Sequence, residues 1–273
     1  IRDRLQPAWP WPNLNMKFER ELKSAIDAAL AGGKILKKYS NHSKTIRYKG
    51  AINLVTQADD LSQKTIIKIL RKNFPNYSIL SEENFFEKSN TAIKWLIDPL
   101  DGTTNYAHNL PIYSISIALE IEDEIILGLV YNPNREEIFY AIRDLGAYLN
   151  KKRIAVSKTK TLNKGLLATG FPYDIRESPN NNLNHFNKFA VRAQAIRRGG
   201  SAALDLSYLA CGRFDGFWEL KLAPWDTAAG YLIVEEAGGK VTDFSGKRFN
   251  IYKKEILATN RLIHQEMLRV LSL

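Results

Sequence analysis

Residues 95–105 read WLIDPLDGTTN. An apolar run ends in two aspartates, Asp98 and Asp101, followed by Gly102, Thr103 and Thr104. Acids and hydroxyls at this spacing suit two uses. One is a capped surface turn, since both side-chain types bond to nearby backbone. The other is a site for a hard cation and a phosphate. Oxygen ligands without cysteine point to magnesium or manganese. Pro99 has a fixed φ, which predicts a sharp turn between the two aspartates. Gly102 lets the backbone approach a ligand closely, and a helix opening at Thr103 and Thr104 would aim unpaired N–H groups at an anion.

Two further segments carry acids directly after apolar runs. Glu82 and Glu83 follow YSIL, and Asp226 follows LAPW. One such acid is most simply a helix cap, and Asp226 is placed to be the N-cap of the helix it precedes. If the three strand exits meet at one sheet edge, their acids crowd together. Like charges so placed repel and raise each other's pKa unless a cation lies between them.

The elements that must position these groups follow from periodicity. Leu22, Ile26, Ala29, Gly33 and Leu36 recur at spacings of four and three, so residues 17–39 read as an amphipathic helix. RYKGAINLVTQ reads as loop and short strand. A second helix, DLSQKTIIKILRKNF, is capped by Asp59 or Asp60 and stops before Pro75. NYSILSEEN and AIKWLID read as strands, and YSISIALE, EIILGLVYNP and EEIFYAIR alternate as antiparallel strands do. Beyond KKRIAVS and a polar stretch, DIRESPNNNLNHFNK, come a helix in GSAALDLSYLACG, a strand in DGFWELKL and a helix in DTAAGYLIVEEAGG closed by glycine. A strand and turn in KVTDFSG and a helix in HQEMLRVLSL finish the chain. The class is therefore α/β or α+β in layers, with a weak boundary near residues 150–160.

The composition is that of a globular chain: 273 residues, 45% hydrophobic and 25% charged. No window has the roughly 18 apolar residues of a membrane span. The lone Cys211 excludes a disulfide framework and suits a reducing cytoplasm. The net charge of +10 raises the question of nucleic acid, but the basic residues are scattered and form no long block. Residues 1–15, IRDRLQPAWPWPNLN, hold three prolines and two tryptophans and read as a leader or appended segment before Met16.

WLIDPLDGTTNY followed by PWDTAAGYLIVEEAGG resembles the paired signature of the inositol monophosphatase family, magnesium-dependent and lithium-sensitive phosphatases related to fructose-1,6-bisphosphatase. LVTQAD, LSEEN and GSAALDLSYLACGRFDGFWE fall in the expected order, so the likeness runs from about Met16 to the end. It implies the αβαβα sandwich of the sugar phosphatases, with halves at about 16–152 and 153–273. It also implies two or three Mg2+ (Mn2+ as the alternative), a small phosphate monoester as substrate, and a homodimer.

By the same resemblance, Glu82, Asp98 and the carbonyl of Leu100 hold one metal, and Asp98, Asp101 and Asp226 a second. Glu82 helps with a weaker third. Asp59 and Thr103 activate the attacking water, with Glu83 a neighbouring electrostatic or structural acid. The Gly102 and Thr103 amides cradle the phosphate; Thr104, Gly200, Ser201, Ala202 and Glu219 lie toward the alcohol. The family often has an acid where this chain has Asn53, and Lys49 is the nearest candidate for its mobile lysine. Thr104-Asn105-Tyr106 favours an inositol phosphate or sugar bisphosphate over 3′-phosphoadenosine 5′-phosphate. Arg197 and Arg198 suit either a second phosphate or plain solvation. Some bacterial relatives act instead as non-catalytic partners of the transcription and ribosomal RNA machinery, which is the competing expectation.

Overall fold

The computed structural model describes residues 17–40, 46–48, 54–83, 85–89 and 91–273. The leader expected over residues 1–15, the start at Met16, and the roles of Lys49 and Asn53 lie outside the described residues. In chain order the elements are α1 (Glu19–Ser40), β1 (Ile46–Tyr48), β2 (Leu54–Thr56), α2 (Gln57–Asn73), β3 (Ser78–Ser81), β4 (Phe85–Glu87), β5 (Ile93–Asp101) and α3 (Thr103–Ala107). Next come β6 (Ser114–Ile121), β7 (Glu124–Asn132), β8 (Glu137–Ile142), β9 (Gly146–Leu149), β10 (Lys152–Arg153), β11 (Leu166–Thr169), α4 (Leu183–Ala190) and β12 (Ala195–Arg197). The last are α5 (Ala202–Ala210), β13 (Gly216–Leu220), α6 (Pro224–Glu236), β14 (Lys240–Thr242), β15 (Glu255–Thr259) and α7 (His264–Ser272).

Two large sheets result. The first has eight strands in the order β10-β9-β8-β7-β6-β5-β3-β4, and the second has five in the order β12-β11-β13-β15-β14. Alternation along the strands decides what each face meets. On one face of the first sheet, Trp95, Ile97, Ile117, Leu119 and Leu129 pack with Leu22, Ile26, Leu36, Ile66 and Leu70 of α1 and α2. On the other, Leu96, Ala118, Val130, Phe139 and Ala141 join α5, α6 and the inner face of the second sheet (Ala168, Phe217, Ile256, Ala258). The outer face of that sheet, Leu167, Trp218 and Leu257, is covered by Phe189 of α4 and by Met267, Val270 and Leu271 of α7. The layers are therefore α, β, α, β, α, as expected. The first sheet ends at Arg153 and the second begins at Leu166.

α6 is the central slab of this stack, which is why it is apolar all round. Every residue from Thr227 to Val234 is buried. A β-carbon on Gly128 of β7 would lie 2.6 Å from the carbonyl oxygen of Ala229, so glycine lets the helix rest directly on the sheet. Among the described residues, no helix is long and apolar enough to cross a membrane.

Sequence periodicity passed over several elements. α4 begins inside the stretch read as polar and runs just past its end, and β9, β11, β12 and β15 were not anticipated. All four strands have three to five residues, too few for alternation to show. The turn expected at Pro99 is absent: β5 runs on to Asp101 through a bulge.

Candidate active site

That bulge sets the site. Asp98 pairs with Ser116 and Asp101 with Ser114, so three steps along β5 match two along β6. In a regular strand, side chains three apart point to opposite faces. One inserted residue cancels the reversal and brings both aspartates to the same side. Pro99 sits in the bulge, where its missing N–H costs no ladder bond.

Both aspartates line one cavity of about 410 Å³. Glu82, Leu100, Gly102, Thr103, Thr104, Gly200, Ser201, Ala202, Glu219 and Asp226 line the same cavity. Glu82 arrives from the end of β3, which runs parallel beside β5, and its N–H donates to the Ile97 carbonyl (3.2 Å). Glu83 does not line the cavity; its carbonyl accepts a bond from the Gln63 side-chain amide (3.3 Å). Asp226 comes from neither sheet. It stands in the first turn of α6, whose N-cap is Ala223, so the expectation that Asp226 is the N-cap is corrected. Its Oδ2 accepts the Ala223 N–H at 2.7 Å. Pro224 begins the helix two residues earlier than the motif suggested, because proline is pre-shaped for a first helical position.

The acids are held in distinct ways. Asp98 is 2% exposed, and its Oδ1 accepts the Leu100 N–H (2.9 Å). Asp101 anchors the start of α5: its Oδ2 accepts from the Ser201 hydroxyl (2.6 Å) and the Ala203 N–H (2.8 Å). Ser201, the N-cap of α5, thus spends its hydroxyl on Asp101 and on capping Leu204. Gly102 adopts a φ of +97°, and a β-carbon there would stand 2.9 Å from the Ile112 carbonyl and 3.2 Å from that of Gly200. Both facts require glycine.

Burial and mutual repulsion act together on these carboxyls. Desolvation, then the charges of Glu82, Asp101 and Asp226, hold Asp98 well above the usual carboxylate range. Burial pushes Asp226 up to about 8, with Asp101 adding to it. Burial also raises Asp101 to about 6, against the pull of its donors from Ser201 and Ala203. A buried oxygen-only donor set of this kind fits a hard divalent cation, which would relieve the strain. The acids line the cavity without three of them forming a ready-made cage among the described residues.

Asp59 and Thr103 do meet. Asp59 is fully buried in the first turn of α2, which starts at Gln57 rather than being capped by an aspartate. The Thr103 hydroxyl lies 3.4 Å from Asp59 Oδ1 and closer, 3.0 Å, to the Leu100 carbonyl. Of the arginine pair, Arg198 lines the cavity and Arg197 does not.

The sequence reading missed Asp205, Lys221 and the rim segment from Phe171 to Asp174, all of which line the cavity. The Lys221 ammonium holds that segment, donating to Asp174 Oδ2 (2.6 Å) and the Ser178 hydroxyl (2.8 Å). Asp205 gave no signal, because an acid in a short helix reads as its solvent side.

Residues 18–272 match the family model described as the inositol monophosphatase family. An inositol-1-monophosphatase from Synechocystis is 44% identical over 92% of this chain and 88% of its own length. A protein of Escherichia coli named Nus factor SuhB is 39% identical over 90% of this chain and 94% of its own length. The solved structure of an inositol monophosphatase from Anabaena superposes with a TM-score of 0.87 at 43% identity, covering 94% of this chain and 97% of the other.

Proposed function

The chain belongs to the inositol monophosphatase family, a phosphatase family, and on that premise we propose that it hydrolyses a monoester of inositol or a related polyol in a Mg2+-dependent reaction. The observation that supports this reading is the β5 bulge, which turns Asp98 and Asp101 to one side of a cavity shared with Glu82 and Asp226. Glu82, Asp98, the Leu100 carbonyl, Asp101 and Asp226 are the groups that would hold the metal. When bound, such ions neutralise phosphate charge and acidify water.

The chain's own part is positioning and proton transfer. The Gly102 and Thr103 backbone, at the start of α3, offers N–H groups that lack helical acceptors, and these cradle the phosphate. Thr103 turns its hydroxyl from the Leu100 carbonyl toward Asp59, accepts the proton of the attacking water and passes its own to Asp59. Attack is in line with the departing alcohol and forms no phosphoenzyme. Use of Mg2+ rather than Mn2+, inhibition by lithium and a homodimeric state belong to the same proposal.

Phosphate release is the test, with Mg2+ and with or without lithium, on inositol 1-phosphate, fructose 1,6-bisphosphate and 3′-phosphoadenosine 5′-phosphate. Lithium-sensitive turnover of the first is expected. The likeness to a relative named as a Nus factor supports a second reading, a partner of the transcription machinery. No turnover of any of the three esters, with salt-sensitive RNA or polymerase binding instead, would establish it.

A further inference from the structure

Lys221 stands in a conformation that suits glycine. Its φ is +61°, in the left-handed region that costs any residue with a β-carbon. Strain at the edge of a cavity raises the question of what it achieves. Here the Lys221 N–H donates to the Lys254 carbonyl (2.7 Å), and the ammonium leaves the end of β13 for Asp174 and Ser178 on the rim segment. That segment is anchored to the core at one end. The Asn182 side-chain amide donates to the Gly170 carbonyl (2.7 Å) and is itself fixed by the Trp218 indole N–H (2.8 Å). From Pro172 to Ser178, hydrogen bonds among the described residues stay within residues 172–182, apart from the two that Lys221 donates. Asp174 Oδ1 is buried and takes no bond among the described residues, so Oδ2 and the ammonium carry the tie.

Between the anchor and the tie lies Tyr173. It lines the cavity with Glu82, Asp98, Asp101 and Asp226, and its hydroxyl has no hydrogen-bond partner among the described residues. Burial, and then the charges of those four acids, raise its phenol above the ordinary range, so it stays a donor in their field. The side chain is 56% exposed, so its place depends on the backbone that carries it rather than on packing. Gly102 and Thr103 offer N–H groups from the end of β5 in the first sheet, whereas Tyr173 follows β11 of the second. An ester phosphate in the cavity has oxygens to spare for a donor from that second side.

We propose that Tyr173 is a phosphate-binding residue, its phenol O–H donating to an oxygen of the ester phosphate from the second-sheet side, and that Lys221 is the positioning residue that ties its segment in place. The proposal rests on the phosphatase reading and adds a contact to it. The strain at Lys221 is on this account the cost of holding Tyr173 over the acids.

The test compares wild type with Tyr173→Phe, Lys221→Gly, Asp174→Asn and the double variant Tyr173→Phe with Lys221→Gly. The readouts are Mg2+-dependent turnover of inositol 1-phosphate and phenyl phosphate, calorimetric binding of inorganic phosphate, and thermal unfolding. Tyr173→Phe should cut kcat/KM about 10-fold on both esters alike and weaken phosphate binding to match, since one donor to a charged acceptor is lost. Lys221→Gly, which suits the left-handed φ, should cost about 5-fold alone but less than about 2-fold in the Tyr173→Phe background, because both act through one contact. Asp174→Asn separates the tie from the charge. It leaves the ammonium and removes an anion, so a lysine acting only as a cation predicts a gain, whereas a broken tie predicts a loss. The pair is partly exposed, so its variants should unfold at the wild-type temperature. Wild-type rates in Tyr173→Phe, additive losses in the double variant, a gain in Asp174→Asn, or early unfolding of any variant overturns the proposal alone, provided that wild type turns the esters over. Wild type inactive on both esters removes the phosphatase reading and the proposal with it.

Discussion

Asp98, Asp101 and Asp226 are not interchangeable acids. Asp98 has one backbone donor and three acidic neighbours, whereas Asp101 also secures the start of α5. Asp98→Asn and Asp226→Asn should therefore fold and lose at least about 100-fold in Mg2+-dependent phosphate release, since charge at the reacting phosphate is the dominant catalytic term. Near wild-type rates in either variant would remove the assignment. Asp101→Ala should in addition lower thermal stability by about 1–2 kcal/mol, the usual cost of a lost cap. Thr103→Ser should keep most activity and Thr103→Ala lose about 100-fold or more, because only the hydroxyl carries the proton. At this scale the sequence was informative. WLIDPLDGTTN, LSEEN and PWDTAAG already named the acids that the structure collects. The place of Asp205 could not be read, because its burial depends on Gly199, Asp101 and β13 coming together in space.

Among the elements, β5 and α6 decide where those acids point. The strand was expected to stop at Asp98 and turn; a proline in the middle of a sheet reads as a terminator when its partner strand is unknown. The bulge appears only once β6 supplies the register. In the same way, Asp226 looks like a cap until Pro224 is seen to open the helix. The two large helices α1 and α2 were legible because their apolar positions repeat over many turns, whereas β11 and β15 have too few residues to declare a period. The contact of α6 with β7 yields a test of element placement. Gly128→Ala sets a β-carbon against backbone atoms of Ala229, which cannot rotate away. It should cost about 1–3 kcal/mol by overpacking. It should also lower kcat by shifting the helix that carries Asp226, although Gly128 touches no cavity atom. Denaturant unfolding and phosphate release on the same sample check both parts.

The molecule as a whole has a pH-sensitive clamp outside the cavity lining. His264, at the start of α7, is 1% exposed and lies between Thr242 of β14 (Nε2, 3.1 Å) and Thr259 of β15 (Nδ1, 2.9 Å). Thr242 gives its proton to the Asp243 carbonyl (2.7 Å), so it accepts from Nε2–H and leaves Nδ1 to accept from Thr259. Only the neutral ring fits, and burial lowers its pKa to about 4. The folded value lies below the unfolded one, near 6.5, so the unfolded chain binds more protons between the two. Stability from this group is complete above about 6.5 and falls as pH drops toward about 4, by about 3 kcal/mol in all. Urea unfolding of wild type minus His264→Gln should show that slope in that window alone. A difference independent of pH would mean that the ring is not held neutral.

The central helix α6 has one more consequence. It carries Asp226 in its first turn, packs on Gly128 of the first sheet and shares its core with Phe217 and Ile256 of the second. Anything bound between Asp98, on the first sheet, and Asp226 therefore spans the layer that holds the two sheets together. Occupancy and unfolding then draw on a single equilibrium. A ligand at 100 times its dissociation constant adds about 2.7 kcal/mol to the stability of the entire stack. Starving the cleft of its ligands should be visible in hydrogen exchange at the far strands as well as at its rim.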